Sequence, residues 1–218
     1  MIFEKQDKLI FIGDSITDCG RRQPIGEAMG DTLGNGYVSL VNSFIHSVYP
    51  DYKIRVVNMG TSGHTVKDLQ ARWKTDVVDL QPDWLSIMIG VNDVWRQYDQ
   101  PLITESHVYI EEYESTLEQL VKSTLPSVKG IILMTPFYME PNPNDAMRHT
   151  LDQYGSVIKK LAQKYNTTFV DTQAAIDSML QHMYPAFLGW DRVHPNQAGH
   201  MTVARAFLEA VGFSWTRN

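Results

Sequence analysis

The chain has 218 residues, a length that suits one domain able to bury roughly 70% of the surface of its unfolded form. Its 19 basic and 25 acidic side chains give a formal net charge of −6, which argues against nucleic acid or an anionic membrane as the main partner. A single cysteine, Cys19, excludes an internal disulfide and a site with several thiolate ligands. We therefore expect a single domain over residues 1–218.

The N-terminal residues give no indication of export. The segment MIFEKQDKLIFIGDS contains only a short apolar run, whereas a secretory signal needs a longer one before a cleavage site. No stretch of the sequence is long and apolar enough to predict a transmembrane helix. We expect a cytoplasmic protein that binds neither nucleic acid nor membranes.

The first predicted strand ends in a polar turn. Residues 9–12 form an unbroken apolar run, which is typical of a strand buried on both faces of a parallel sheet. Gly13, Asp14 and Ser15 follow at once, so Ser15 should lie just beyond the carboxyl end of this strand, where ligands bind in open α/β sheets. Two interpretations stand at this point: Ser15 is a nucleophile, or Asp14 and Ser15 are ordinary helix caps.

Strands and helices alternate along the rest of the chain. Residues 21–36 are rich in Gly, Arg and Asp without a period, which indicates a long loop. Apolar periodicity predicts strands at 53–58, 83–90, 130–135 and 167–170, and helices at 36–48 (capped by Asn35), 65–80, 107–125, 144–165, 172–183 and 196–211. Five strands separated by helices predict an α/β protein with a parallel sheet covered on both faces.

Two further polar clusters follow predicted strands. The second strand runs into a turn that contains Gly60 and Gly63, and the third is followed by Asn92 and Asp93. Because the carboxyl ends of parallel strands meet at one edge of a sheet, we expect both clusters to lie near Ser15. A glycine there lets the backbone approach a ligand closely.

A carboxylate and an imidazole lie three residues apart near the end of the chain. Acyl transfer needs a nucleophile, a base, a group that orients the base, and donors for the oxyanion. The spacing of Asp191 and His194 allows one turn to hold the carboxylate against a ring nitrogen while the other nitrogen faces the serine. Taken alone, the pair would rather indicate a loop that carries a capping Asp and a surface His.

The order of these blocks resembles that of a known family. GDS at 13–15, the glycine turn at 60–63, GVND at 90–93 and DRVHP at 191–195 together resemble the SGNH hydrolases, also called the GDSL esterase and lipase family. The resemblance spans residues 9–199 and implies a three-layer α/β/α, flavodoxin-like fold.

The resemblance also implies roles for individual residues. Ser15 would be the nucleophile, His194 the general base and then acid, and Asp191 the carboxylate that orients His194. The implied oxyanion hole consists of the backbone N–H of Ser15, the backbone N–H of a glycine in the second block and the side-chain amide of Asn92. Gly63 fits that glycine better than Gly60, because SGHT around it matches the family's block. No cofactor and no metal are implied.

The chain departs from the family pattern at two positions. Ile16 replaces a leucine of similar volume, which should preserve packing. Arg192 stands where a small residue is common, so it either narrows the pocket or adds a substrate contact. His64, beside Gly63, is either a substrate contact or a hydrogen-bonded structural histidine. No Cys or carboxylate set accompanies His200 at metal-ligand spacing, so no zinc site is expected.

The substrate is expected to be an ester of a sugar. Trp190 precedes Asp191, and with Tyr184 and Phe187 it could form an aromatic wall for a sugar ring; burial in the core or in a subunit contact, and hence a homo-oligomer, is the alternative. The whole chain looks like the bacterial acetylxylan esterases of this family, which implies removal of acetyl groups from xylo-oligosaccharides. The alternatives are a thioesterase or lysophospholipase and, in another class, a non-catalytic carbohydrate- or phosphate-binding module.

Overall fold

Five parallel strands form the sheet of the computed structural model, which describes residues 1–27 and 30–216. They are β1 Lys8–Gly13, β2 Arg55–Gly60, β3 Trp84–Met88, β4 Gly130–Met134 and β5 Thr168–Val170. Their order is β2-β1-β3-β4-β5, and all neighbouring pairs are parallel. The predicted α/β class with a five-stranded parallel sheet is confirmed.

Helices cover both faces of the sheet. They are α1 Ser15–Asp18, α2 Tyr37–Val48, α3 Val66–Trp73, α4 Val91–Asp99, α5 Ile110–Thr124, α6 Ala146–Tyr165, α7 Thr172–Leu180, α8 Pro185–Leu188 and α9 Gln197–Ala210. On one face α9 packs against α2 and α7, and on the other α5 packs against α3 and α6. The three-layer arrangement implied by the family resemblance is therefore present.

The apolar run of β1 occupies the centre of this structure. Residues 9–12 are fully buried, since β1 pairs with β2 on one side and β3 on the other and has helices above and below. Gly13 ends the strand where a Cβ would lie 2.3 Å from the Met88 carbonyl oxygen, so only glycine fits beside β3. The strand is thereby aligned closely with β3 just before the Ser15 turn.

Several strand boundaries differ from the predictions by one or two residues, and two of them have a visible local reason. The sequence places the second strand at 53–58, but it begins at Arg55 because Lys53 has a left-handed φ of 52°, and it continues to Gly60, which the sequence assigns to the following turn. The sequence extends the third strand to residue 90, but it ends at Met88, ahead of Gly90 with a φ of 133°. Both differences come from backbone conformations that a periodicity pattern does not encode.

The helices also differ in detail. The helix expected at 65–80 is α-helical only to Trp73, and a π-helical turn continues over Lys74–Val78. The proposed Asn35 cap is wrong, because Gly36 occupies the N-cap of α2. The sequence predicts only a polar cluster where α4 lies, since its GVND start is typical of a turn. Within the expected loop at 21–36, residues 28 and 29 lie outside the described residues.

The strand order reverses direction at β1 and β3. The chain passes from β1 outward to β2 on one side, then returns to β3 and continues outward to β4 and β5 on the other. At such a switch point the connections diverge, and a crevice opens at the carboxyl ends of the two strands. Here α1 follows β1 and α4 follows β3, so Ser15 and Asn92 lie on either side of this crevice. None of the described helices is both long and apolar enough to cross a membrane.

Candidate active site

Ser15 is the first residue of the short helix α1. The N-cap of this helix is Asp14, whose Oδ1 accepts a hydrogen bond from the Ile16 N–H at 3.0 Å. The capping function proposed as an alternative for this turn therefore belongs to Asp14, which leaves the Ser15 hydroxyl available. The backbone N–H of Ser15 lies in the first turn, where helical N–H groups have no partner within the helix.

Ser15, His194 and Asp191 are hydrogen-bonded in series. Ser15 Oγ lies 2.7 Å from His194 Nε2, and His194 Nδ1 lies 2.6 Å from Asp191 Oδ2. The other carboxylate oxygen, Asp191 Oδ1, accepts the backbone N–H groups of Val193 at 3.0 Å and His194 at 2.9 Å. One tight turn thus fixes both the carboxylate and the imidazole that it orients.

These hydrogen bonds also keep Asp191 ionised. Burial raises the pKa of the Asp191 carboxyl, but the hydrogen bonds from the His194 ring and from two backbone N–H groups outweigh it, so the pKa lies below its ordinary value. An ionised Asp191 selects the His194 tautomer with a proton on Nδ1. Nε2 is then free to accept the proton of the Ser15 hydroxyl.

The two glycines of the turn after β2 differ in their surroundings. Gly60 donates its N–H to Asn58 Oδ1 at 2.9 Å, so this group is already engaged. Gly63 has a φ of +82° at the tip of the turn, and a Cβ added there would meet nothing within 4 Å. Ser62 N–H and Oγ–H both donate to Asp18 Oδ2 of α1, which ties the turn to the Ser15 helix.

Two hydrogen bonds set the orientation of the Asn92 amide. Its Oδ1 accepts a hydrogen bond from Arg96 Nη2 at 3.2 Å, and its Nδ2 donates to the His64 carbonyl oxygen at 3.0 Å. Because a cation holds the oxygen, the NH₂ group must face the glycine turn. Arg96 is itself paired with Asp99 and stacked on the Trp95 ring, with its Cζ 4.8 Å from the ring centroid.

Two buried carboxyl groups lie beneath this region. Burial raises the pKa of Asp14 to about 7 and that of Asp93 to about 8. Asp93 Oδ1 accepts the Val66 N–H at 3.0 Å, which joins the start of α4 to the start of α3. Its Oδ2 has no hydrogen-bond partner among the described residues. Asp93 is therefore held largely in its neutral form at neutral pH.

Arg72 links the ends of three chain segments, and sequence reasoning missed it. Its guanidinium donates to the carbonyl oxygens of Gly13 at 3.0 Å and Met59 at 2.7 Å, and to His64 Nδ1 at 3.0 Å. Asp76, four residues further along, balances its charge. The i,i+4 spacing of Arg72 and Asp76 is readable in the sequence, but the strand ends that Arg72 contacts leave no local signal.

The predicted substrate contacts occupy different surroundings. The His64 ring accepts a hydrogen bond from Arg72, and burial followed by the nearby Arg72 charge lowers the pKa of His64. Tyr184 and Trp190 are 77% and 86% exposed. Arg192 has a left-handed φ of +62°, pairs with Glu140 and lies over the Tyr138 ring. The substrate roles of these side chains stay predictions.

Cys19 and His200 form a pair apart from this site. Cys19 Sγ lies 3.4 Å from His200 Nε2, and His200 Nδ1 accepts the Tyr37 N–H at 3.3 Å. Nε2 therefore carries the imidazole proton and donates it to the sulfur. Burial raises the pKa of the Cys19 thiol, and burial with the nearby His194 lowers the pKa of His200 to about 4. A neutral thiol beside a neutral imidazole fits a packing role.

The fold and the site together define a class of protein. A serine, a histidine and a carboxylate are bonded in series at the carboxyl edge of a parallel sheet, with backbone and amide N–H groups beside them, which is the arrangement of a serine hydrolase. The chain belongs to the GDSL-like lipase/acylhydrolase family, whose model matches residues 11–201. The family resemblance inferred from the four sequence blocks is confirmed.

Curated and structural relatives agree with this membership. An acetylxylan esterase from Geobacillus stearothermophilus is 60% identical over 212 residues, which cover 97% of each chain. The structure of a catalytic mutant of Axe2 (S15A), an acetylxylan esterase from the same organism, matches with a TM-score of 0.99 and 59% identity over 100% of both chains. LAE5, an alpha/beta hydrolase enzyme from the metagenome of Lake Arreo, Spain, matches with a TM-score of 0.96 and 51% identity over 97% of this chain and 98% of that chain.

Proposed function

We propose that the chain is a serine esterase that removes O-acetyl groups from xylo-oligosaccharides through an acetyl-enzyme. The series of short hydrogen bonds from Ser15 through His194 to Asp191 carries the reaction type. The substrate is supported by the 60% identity, over nearly the whole chain, to a protein described as an acetylxylan esterase.

The residues divide the reaction between them as follows. His194 Nε2 takes the proton of the Ser15 hydroxyl while Oγ attacks the acetyl carbonyl carbon. The resulting oxyanion receives hydrogen bonds from the backbone N–H groups of Ser15 and Gly63 and from Nδ2 of Asn92. The engaged N–H of Gly60 is the reason to assign the second donor to Gly63.

Collapse of the tetrahedral intermediate releases the sugar. His194 Nε2 gives its proton to the departing sugar oxygen, and the acetyl group remains on Ser15 Oγ. Water then attacks the acetyl-enzyme with His194 as base, acetate leaves, and Ser15 recovers its proton. Asp191, kept ionised by its three hydrogen bonds, stabilises the imidazolium in both halves of the reaction.

Steady-state kinetics distinguish this proposal from the lipid alternatives. We expect the highest kcat/KM on acetylated xylobiose, compared with a fatty acyl-CoA and a lysophospholipid. A strong preference for either lipid substrate would refute the sugar assignment and favour a thioesterase or lysophospholipase. Hydrolysis of p-nitrophenyl acetate that disappears in Ser15→Ala would exclude a non-catalytic carbohydrate- or phosphate-binding module.

Two finer properties stay predictions. The first is the cytoplasmic location, which cell fractionation would test. Self-association is supported by the exposed rings of Tyr184, Phe187 and Trp190. Sedimentation of the purified protein would show whether a homo-oligomer forms.

A further inference from the structure

A groove of about 290 Å³ lies beside the catalytic histidine. It runs between α4, the start of α6 and the turn that carries Asp191. Its chemistry comes from three aromatic rings, two carboxylates and one guanidinium, which belong to Trp95, Tyr98, Tyr138, Asp99, Asp145 and Arg192. We call it the Trp95–Arg192 groove. Its volume lies at the lower end of the range for small-molecule sites.

The groove begins at the proton donor for the leaving group. The Trp95 ring packs edge-on against the His194 ring, with the centroids 5.9 Å apart. Arg192 directly follows Asp191 in the turn that orients His194. Since His194 Nε2 protonates the departing oxygen, the sugar that carries this oxygen must lie on the His194 side of the crevice. The groove is therefore placed to receive the alcohol part of the substrate.

The groove's side chains suit a neutral polyhydroxylated ring. Aromatic faces pack against the C–H face of a sugar, and Tyr98 is 40% exposed. A carboxylate accepts several hydrogen bonds, and the helix cap formed by Asp145 Oδ1 with the Arg148 N–H uses only one of them. The one guanidinium, of Arg192, is already paired with Glu140. Asp99 is likewise paired with Arg96, which leaves Asp145, among the described residues, as the groove's unpaired charge. A negative charge that no cation of the groove offsets disfavours the phosphates of an acyl-CoA or a lysophospholipid.

The backbone conformation of Arg192 also supports a role of this groove in binding substrate. Its φ of +62° lies in the left-handed region, where glycine is unstrained and arginine is not. The turn is held there by the hydrogen bonds from the Met139 N–H to the Arg192 carbonyl oxygen at 2.8 Å and from the Arg192 N–H to Gly189 at 3.0 Å. A long charged side chain kept on a strained backbone beside a catalytic centre indicates a functional contact.

We propose that the Trp95–Arg192 groove binds the xylosyl unit from which the acetyl group is removed, together with its neighbour along the oligosaccharide. This inference rests on the proposed function and extends it by naming the surface that distinguishes a sugar ester from a simple acetate. Tyr98 supplies the stacking face. Arg192 and Asp145 supply hydrogen bonds to hydroxyl groups.

The test compares two substrates that share the acetyl group and differ in the alcohol. For Tyr98→Ala and Arg192→Gly, we expect kcat/KM on acetylated xylobiose to fall about tenfold more than kcat/KM on p-nitrophenyl acetate, the size of one lost polar or aromatic contact. Arg192→Gly relieves the left-handed strain, so it keeps the test open if Tyr98→Ala fails to fold. Tyr109→Ala, which removes another exposed ring outside the groove, is the control and should leave the ratio unchanged.

The outcomes separate this inference from the proposed function. If the wild-type enzyme hydrolyses acetylated xylobiose but the ratio is the same in all variants, the groove assignment is wrong and the proposed function stands. If the wild type hydrolyses only p-nitrophenyl acetate, the proposed function is wrong. The groove is then judged by calorimetric binding of xylotriose to Ser15→Ala, and a Kd that Tyr98→Ala leaves unchanged overturns it.

Discussion

The crevice is bounded by two regions of opposite character. We call residues 13–15, 60–65 and 90–93 the floor, and residues 184–190 the rim. Asp14, Asn92 and Asp93 of the floor are buried, with Asn92 1% exposed, whereas the rim carries three exposed rings at Tyr184, Phe187 and Trp190. Rim and α9 are joined by Asn196, which donates to the Phe187 carbonyl oxygen and, through its backbone N–H, to that of Leu188.

The difference assigns separate tasks to the two regions. Oxyanion donors work only if they are held in place before the charge develops, and the hydrogen bonds of the floor to Val66, Arg72 and Arg96 provide that rigidity. A surface that selects among sugars instead needs exposed side chains with a large area for contact with the substrate. Changes in the floor should therefore lower kcat, and changes in the rim should raise KM.

The largest effect should come from removing the nucleophile. Ser15→Ala should lower kcat on p-nitrophenyl acetate on the order of 10⁶-fold. Ser178→Ala is the matched control, because it removes a surface hydroxyl that bonds only to its own helix at the Ala174 carbonyl oxygen. A residual rate within tenfold of the wild type would contradict the mechanism.

The next effect tests the floor as an oxyanion hole. Asn92→Ala should lower kcat on the order of 10² to 10³-fold with little change in KM, because the amide stabilises the transition state more than the substrate. Asn144→Ala, in an exposed loop, serves as the control. A rise in KM at unchanged kcat would mean that Asn92 binds substrate and that the division between floor and rim is misplaced.

Arg96 should affect kcat by orienting the Asn92 amide. Arg96→Met frees the amide to rotate, so we expect a loss of about tenfold in kcat on p-nitrophenyl acetate, the size of one hydrogen bond to a charged group. Arg96→Lys, which keeps a cation beside Asp99, should recover part of the loss. When Arg96→Met is added to Asn92→Ala, kcat should fall almost no further than in Asn92→Ala alone. Fully additive losses would show that Arg96 acts independently of the amide.

The rim should respond differently. Trp190→Ala should raise KM for acetylated xylobiose about threefold with kcat little changed, since it removes a surface ring and no hydrogen bond to the floor. Leu102→Ala, at a side chain 93% exposed, is the control. A large loss of kcat in Trp190→Ala would mean that the rim helps to hold the catalytic turn.

The last prediction concerns stability and pH rather than catalysis. The unfolded chain releases the Asp93 proton near its ordinary pKa of 3.8, and the folded protein near 8. Between these two pH values the folded protein keeps the Asp93 proton and the unfolded chain does not. The contribution of this carboxyl to the free energy of unfolding is therefore full below about pH 4 and is lost as the pH rises to about 8. Measured by thermal unfolding, the free energy of unfolding of Asp93→Asn should fall less between pH 5 and pH 8 than that of the wild type. Equal slopes would refute a neutral Asp93.

The sequence predicts the parts of this structure that are local. The unbroken apolar run of residues 9–12 predicts a central strand, and the three-residue spacing of Asp191 and His194 predicts their turn. The family blocks then place both near Ser15, although the serine is 179 residues from the histidine. Arg72 could not be predicted, because its bond to the Gly13 carbonyl oxygen joins residues 59 apart and any arginine on α3 looks the same in sequence. Helix α4, which carries Trp95 and Arg96, could not be predicted either, because its first residues have the composition of a turn.

The turn that carries Asp191 and His194 has a mechanical consequence. The base and its carboxylate sit on one short segment ahead of α9, and they are bound to each other by the ring and by two backbone N–H groups. Any displacement of the C-terminal segment moves both together. Such a motion would lengthen the separation between Ser15 Oγ and His194 Nε2 and leave the imidazole correctly protonated. The alignment of the triad is therefore most sensitive to the distance between Ser15 Oγ and His194 Nε2, which join segments near opposite ends of the chain.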